Sequence, residues 1–395
     1  MISFDEALQR IHNLAQPLPY EEVSFETSAN RVLADNLTSR SDAPSQDVSA
    51  MDGYGVRDSD LTNLPVRLPI LAQSFAGSPP PPQFTQTGCV RIFTGAPVPA
   101  GIDRVIIQEN VERDGDIAII KSPVSESRNI RKKGSDFKAG DTLLKAGTHL
   151  SWRAMTTAAA ADRESVKVIR TPKAVILATG DELKPPGQAH LHPGAIPESV
   201  SFGISAYIKA NGGDVIRSES LNDSPQLLEK AAASAIHDAD IVIVTGGASV
   251  GEKDYAKAMF ENHGMELIFS KVAIKPGKPV WCAKVKNTII LGLPGNPTSA
   301  LVTARLFLKP LLLGLAGRDN KAGSAPRQME TSMPIPQNGN RENFMRGYIK
   351  DEKVCLFTNQ DSSAQSVLAR ADILIRRLPN APEVQVGEKV IIYDF

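Results

Sequence analysis

The sequence predicts a multi-domain protein of mixed class: a central three-layer α/β domain with a mostly parallel sheet, flanked by small β-rich domains. Three observations carry this. At 395 residues the chain exceeds what one ordinary core organises, so two to four domains are expected. Between Thr171 and Gly317 continuous apolar runs alternate with helical segments, the pattern of strands buried on both faces of a parallel sheet. Outside that span, short β-rich runs are separated by glycine, proline and aspartate turns.

Taken in order, Ser3-Phe4-Asp5-Glu6 reads as a capping box. Phe4, Ala7, Leu8, Ile11 and Leu14 follow at helical spacing, so an amphipathic helix ends before Pro17. Residues 41–140 read as a small β domain containing Val105–Gln108, Ile117–Ile120 and the stiff loop Ser78–Pro82. An alanine-rich helix, Trp152 to Ala161, leads into Val166-Lys167-Val168. Residues 1–40 with 141–170 are therefore taken as a helical, linking domain. In the α/β domain, 171–317, Ala174–Ala178, Ile241–Val244 and Ile289–Leu291 are the expected strands. Helices are expected from Ser199 to Asn211, after Ser224 with Pro225 at the first helical position, and from Pro297. Residues 318–395 read as a β domain closing on Glu388–Ile392.

Composition narrows the function. Lysine plus arginine and aspartate plus glutamate are each 44, a formal net charge of zero that argues against a nucleic-acid or membrane-surface binder. Cys89, Cys282 and Cys355 are far apart and offer neither a zinc site nor a disulfide framework, which suits a reducing compartment. The acidic N-terminus does not read as a signal peptide, and no run of about 20 apolar residues suggests a membrane span. A cytoplasmic enzyme acting on a small molecule is expected.

In open parallel sheets, ligands bind beyond the carboxyl ends of the strands. Three such ends here carry unusual loops: Thr179-Gly180-Asp181-Glu182, Thr245 to Gly251 followed by Glu252-Lys253-Asp254, and Leu293 to Ser299. Glycine lets backbone amides approach an anion closely, and hydroxyls add donors. Gly246, Gly247, Ser249, Val250 and Gly251, with Pro294, Gly295, Asn296 and Pro297, are the candidate anion-binding residues. Lys275-Pro276-Gly277-Lys278-Pro279 holds two cations on a rigid turn suited to phosphate. Each feature also has a plain structural reading. Asp223 and Asp254 could be helix caps, Asn296 before Pro297 is a good cap, and Lys271 and Lys275 could be solvated charges. His190 and His192 read as solvated. In the β domain, Ser49 to Gly55, Phe93 to Pro97 and Gly134-Ser135-Asp136 are turns that add Asp52, Thr94 and Asp136. The many carboxylates without a histidine partner fit Mg2+ better than a nucleophilic triad.

The ordered series Ser49–Tyr54, Thr94–Pro97 with Glu109, Gly134–Asp136, Thr179–Leu183, Gly246–Gly251 with Asp254, Lys275–Pro279 and Pro294–Pro297 resembles the molybdopterin molybdenumtransferase family. These are the MoeA proteins, related to the E domain of gephyrin, and the match runs over nearly the whole chain. The resemblance implies a four-domain homodimer that binds adenylylated molybdopterin, inserts molybdate and releases AMP with a divalent cation assisting. It makes Asp52, Thr94, Asp136, Glu182, Asp254, Lys271 and Lys275 the catalytic candidates. Asp223 and Lys278 join the glycine-rich and Pro294–Pro297 loops in binding, with Mg2+ on Glu182, Asp223 and Asp254. The adenylyltransferase that precedes this step in the pathway is counted as a partner. Three positions depart from the family pattern: Val200 in Glu198-Ser199-Val200 stands where asparagine is usual, Ser135 where glutamate is common, and Gly55 where alanine follows the tyrosine. A same-fold adenylyltransferase and a non-catalytic scaffold are the competing readings. The flanking β domains count against the first and the retained acidic residues against the second.

Overall fold

The computed structural model describes residues 1–121, 125–246 and 255–395. They form two compact units, one of Met1–Val23, Asn30–Ala34 and Lys167–Phe395, the other of Ser24–Ala29 and Asp35–Val166.

The larger unit is built on a six-stranded sheet in the spatial order Asp214–Leu221, Lys173–Thr179, Ile241–Thr245, Thr288–Leu293, Trp281–Val285, Glu266–Phe269. The first four strands are mutually parallel, and the last two pairings are antiparallel. Side chains alternate between the faces of a strand. Ala174, Ile176, Ile241, Ile243, Ile289 and Leu291 thus enter one core, and Val175, Leu177, Val242, Val244 and Ile290 the other. Two buried faces demand apolar residues at every position, which is why these strands read as unbroken apolar runs.

Helix α1 (Phe4–Leu14) buries Phe4, Ala7 and Ile11 in the first core, with Phe4 edge-on to Phe344 at 4.9 Å. Only half of its expected capping box forms. Ser3 Oγ accepts the Glu6 amide hydrogen at 3.1 Å, whereas the Glu6 carboxylate turns to Arg10 one turn on, at 2.7 Å. Helix α2 (Trp152–Ala159) lies in the smaller unit, capped by Ser151 Oγ. Around the central sheet, α3 (Val200–Ala210) covers the first core, while α4 (Pro225–Asp238) and α5 (Tyr255–Glu261) cover the second. Helix α6 (Pro297–Thr303) continues through a π turn into α7 (Lys309–Leu315). The stretch Pro297–Leu315 is long and apolar enough to cross a membrane, yet 89% of it is buried inside the fold, as a core helix would be.

The rest of this unit is a second sheet of Arg327–Glu330, Glu342–Lys350, Lys353–Leu356, Ile373–Arg377 and Lys389–Asp394. Ile274–Lys275 adds to its edge, parallel to Glu342–Asn343. The smaller unit holds a six-stranded sheet ordered Arg104–Ile107, Gly53–Val56, Cys89–Ile92, Val66–Ser74, Ile117–Ile120, Val111–Asp114, around a core of Tyr54, Val56, Leu68, Cys89, Ile106, Ala118 and Ile120.

Candidate functional site

In the larger unit, the parallel strands all end on one side of the sheet, and their loops meet there. Thr179 is buried, and its Oγ1 donates to the Thr245 carbonyl at 3.4 Å. Gly246 follows with φ +90°, and a Cβ on it would stand 2.1 Å from the Thr179 carbonyl oxygen. A Cβ on Gly295 would lie 3.2 Å from the Gly246 Cα. The loops after Lys173–Thr179, Ile241–Thr245 and Thr288–Leu293 therefore pack backbone against backbone, as the glycines in all three allow. Gly247, Ser249, Val250, Gly251 and Asp254 lie outside the described residues.

The acidic candidates sit beside this junction. Glu182 is exposed and folds its carboxylate back over Gly180. Asp223 lies on the loop after the neighbouring strand, where its amide donates to Asp181 Oδ1 at 3.1 Å. Asp181, which the sequence reading assigned no role, thus ties the Glu182 loop to the Asp223 loop. Two of the three metal candidates, Glu182 and Asp223, are thus hard oxygen donors on adjoining loops, which suits Mg2+, although no cluster of three or more ligands occurs among the described residues. Ser224, not Asp223, occupies the N-cap position of α4.

The Lys275–Pro279 turn forms a second feature on the same unit. Its backbone is held by Val272 N to the Lys278 carbonyl at 3.1 Å and Val280 N to the Gly277 carbonyl at 3.0 Å. With the C-terminal sheet it encloses a cavity of about 490 Å³, lined by Lys275, Lys278, Ser299, Arg341, Asp361 and Ser362 among others. Lys271 does not line it; it is exposed, and its carbonyl accepts from Ile2 N. Three cations face one carboxylate. The Asp361 carboxyl is held below its usual range by the Ser363 hydroxyl and amide, then by the charges of Arg346 and Lys275.

Arg346 organises the far wall. It is fully buried, and its Nη2 donates to the carbonyls of Asn359 and Asp361 at 3.2 and 3.0 Å. Its backbone exchanges hydrogen bonds with the Gln360 side chain at 2.9 and 2.8 Å. Burial lowers the pKa of its guanidinium. Asn296 holds the N-cap position of α6, as expected, but makes no side-chain capping bond. Its Nδ2 donates instead to Ser362 Oγ at 3.4 Å, and Thr298 Oγ1 donates to the Ala364 carbonyl at 3.1 Å. The Pro294–Pro297 loop thus joins the cavity wall. Sequence reading missed Arg341, Arg346 and Ser362, because nothing local to residues 341–363 marks them as partners of a turn near residue 275.

In the smaller unit, Asp52 Oδ1 accepts from both the amide and the hydroxyl of Thr94, at 2.7 and 2.8 Å. Those two bonds hold the Asp52 carboxyl below its usual range. Asp136 is exposed on the turn after Gly134, where its amide donates to the Ala43 carbonyl, and it makes no hydrogen bond to Asp52 or Thr94. Cys89 and Cys282 are buried with thiols pushed up to about 12 by burial, which leaves them inert.

Comparison with known proteins places these features. Residues 2–161 match the MoeA N-terminal region (domain I and II), 175–314 the probable molybdopterin binding domain, and 328–395 the MoeA C-terminal region (domain IV). The chain is 36% identical to the molybdopterin molybdenumtransferase of Haemophilus influenzae, covering 100% of this chain and 99% of that one. It is 34% identical to the enzyme of that name from Nostoc sp. over 88% of this chain and 82% of the other. A crystal structure of the molybdopterin biosynthesis MoeA protein from Pyrococcus horikosii superposes with a TM-score of 0.84 at 28% identity, covering 100% and 99% of the two chains. This chain therefore belongs to the molybdopterin molybdenumtransferase family and is a transferase of molybdenum cofactor biosynthesis.

Proposed function

We propose that the chain inserts molybdate into adenylylated molybdopterin and releases AMP, with the phosphoanhydride handled at the strand-end loops and the oxyanion at the lysine turn. The observation that carries this is the pairing, on one unit, of converging glycine-rich loops with a cavity where Lys275, Lys278 and Arg341 outnumber Asp361. Cations fixed around a cavity lower the energy of a bound oxyanion, since they need not reorganise to meet it. Glu182, Asp223 and Asp254 would hold Mg2+, which when bound supplies positive charge to the departing phosphate. In this reading Asp52, Thr94, Asp136 and Lys271 also serve the substrate. The Asp52–Thr94 pair keeps a carboxylate ionised and oriented, ready to accept hydrogen bonds from a ligand.

The same reading includes a cytoplasmic homodimer of four-domain protomers that receives its substrate from the preceding adenylyltransferase. Apolar clusters of their own in the smaller unit and on one face of the C-terminal sheet support the two flanking β-rich domains, while one core joins α1 and the central sheet to Phe344, Leu374 and Tyr393. Light scattering should return twice the 42.4 kDa protomer mass. The deciding assay supplies purified protein with adenylylated molybdopterin and Mg2+, then measures AMP with and without molybdate. Molybdate-dependent AMP release is expected, and its absence would overturn the proposal.

A further inference from the structure

The sheet of the smaller unit builds a feature that none of these roles uses. Gly53–Val56 and Cys89–Ile92 pair antiparallel with Tyr54 opposite Arg91. Side chains two apart on an extended strand share a face, so Arg91 and Phe93 project to the same side. Val66–Ser74 runs parallel to Cys89–Ile92 with Ser74 beside Ile92, and one residue further on Phe75 comes beside Phe93. The register thereby assembles a stack of Tyr54, Arg91, Phe93 and Phe75. The Arg91 guanidinium carbon lies 4.8 Å from the centroids of both Tyr54 and Phe93, and Phe75 stacks on Phe93 at 4.9 Å with the rings 13° apart.

One end of the stack is sealed and the other open, for Tyr54 is 4% exposed and Phe75 48%. Its members are held before any ligand arrives. Ser74 Oγ donates to the Pro97 carbonyl at 2.7 Å, and Phe93 N donates to the Ser74 carbonyl at 3.3 Å. Arg91 donates to the Gly53 carbonyl and to Gln108 Oε1. A lone exposed phenylalanine needs no explanation. A near-parallel pair closing a fixed cation–aromatic stack is different, because it presents a flat, preorganised face on which another ring can lie. The residue after Phe93 is Thr94, the partner of Asp52.

We propose that the outer face of Phe75 is a stacking subsite for a planar nitrogen heterocycle of the substrate. The inference rests on the proposed function, because Asp52 and Thr94 beside the stack are assigned to that substrate. Adenine and the pterin share the required chemistry, and separate probes distinguish them. Full-length wild type, Phe75→Ala and Phe75→Trp are titrated with AMP and, separately, with 6-carboxypterin. Stacking on an aromatic side chain is worth enough that its loss should weaken one probe about tenfold in the alanine variant. The tryptophan variant should bind as tightly as wild type, and the probe that weakens identifies the ring. In the AMP-release assay, Phe75→Ala should raise the KM for adenylylated molybdopterin by a similar factor and keep kcat within about twofold. Equal affinity of wild type and Phe75→Ala for both probes would overturn the inference, as would a wild type that binds neither. A change in oligomeric mass of Phe75→Ala would also overturn it, since the face would then be covered by a second copy. A wild type that releases no AMP sinks the proposed reaction instead, and the titrations still decide the subsite.

Discussion

Replacing Gly246 with alanine tests whether the loop junction is as tight as the geometry requires. A side chain at φ +90° costs about 1–3 kcal/mol by itself. The new Cβ would stand 2.1 Å from the Thr179 carbonyl oxygen, so two adjacent strand ends must part by more than 1 Å, roughly. Overpacking of that kind adds about 1–3 kcal/mol. The sum, about 2–6 kcal/mol, should lower the melting temperature by roughly 4–12 °C, at about 2 °C per kcal/mol for a unit of this size. Gly295→Ala is the matched control. Its φ is not positive, and its Cβ would meet the Gly246 Cα at 3.2 Å, a few tenths of an ångström too close, and the Gly246 nitrogen at an ordinary 3.7 Å. That variant should lose under about 1 kcal/mol. Differential scanning calorimetry and molybdate-dependent AMP release on both proteins make the measurement. Expected is a large loss of both stability and turnover for Gly246→Ala, and a small one for Gly295→Ala. Equal melting temperatures, or a larger loss for Gly295→Ala, would refute the convergence of the loops.

Three further outcomes can be checked with the same protein. Lys275→Ala and Lys278→Ala should each raise the KM for molybdate about tenfold, with a weaker salt dependence than wild type, because each removes one cation from the cavity wall; an unchanged KM would remove the cavity from the mechanism. Thr94→Val deletes the hydroxyl but leaves the amide, so the Asp52 carboxyl should titrate higher than in wild type by NMR. The depressed pKa makes Asp52 stabilising above its unfolded value, with that contribution lost as pH falls through the folded one, so the variant should lose stability at neutral pH and be less sensitive to acid. Asp254→Asn should abolish AMP release with little change in melting temperature, because asparagine caps a helix about as well as aspartate; wild-type turnover would make Asp254 a cap only.

Which parts were legible in the chain follows from the range of the forces involved. Strands buried on both faces need apolar residues at every position, so Lys173–Thr179 and Ile241–Thr245 announced themselves, with glycine and proline at their ends. The same local logic placed α1, α3 and α4, and the ordered motifs pointed to the family. Local rules also misjudged details. The capping box at Ser3 formed only by half, since Arg10 offers Glu6 an alternative partner one turn on. Asn296 gave its amide to Ser362 rather than to its own helix. A cap and an exposed ion pair are each worth no more than about 1–2 kcal/mol, so either yields to a competitor that folding brings near.

By itself, then, the sequence determined the α/β core, the glycine-rich strand ends and the ordered motifs that mark the family. Only the tertiary structure decided which distant segments meet. The Lys275 turn became an edge strand beside Glu342–Asn343, and that pairing brought Arg341, Asp361 and Ser362 around one cavity. Buried Arg346 holds the wall of that cavity through carbonyls no motif would mark. The Phe75–Phe93 stack likewise exists because a register shift between Ile70 and Ala72 brings Ser74 beside Ile92, and moving that register by a single residue would destroy it. Periodicity is written in neighbouring residues, whereas pairing partners are chosen by the free energy of the whole fold.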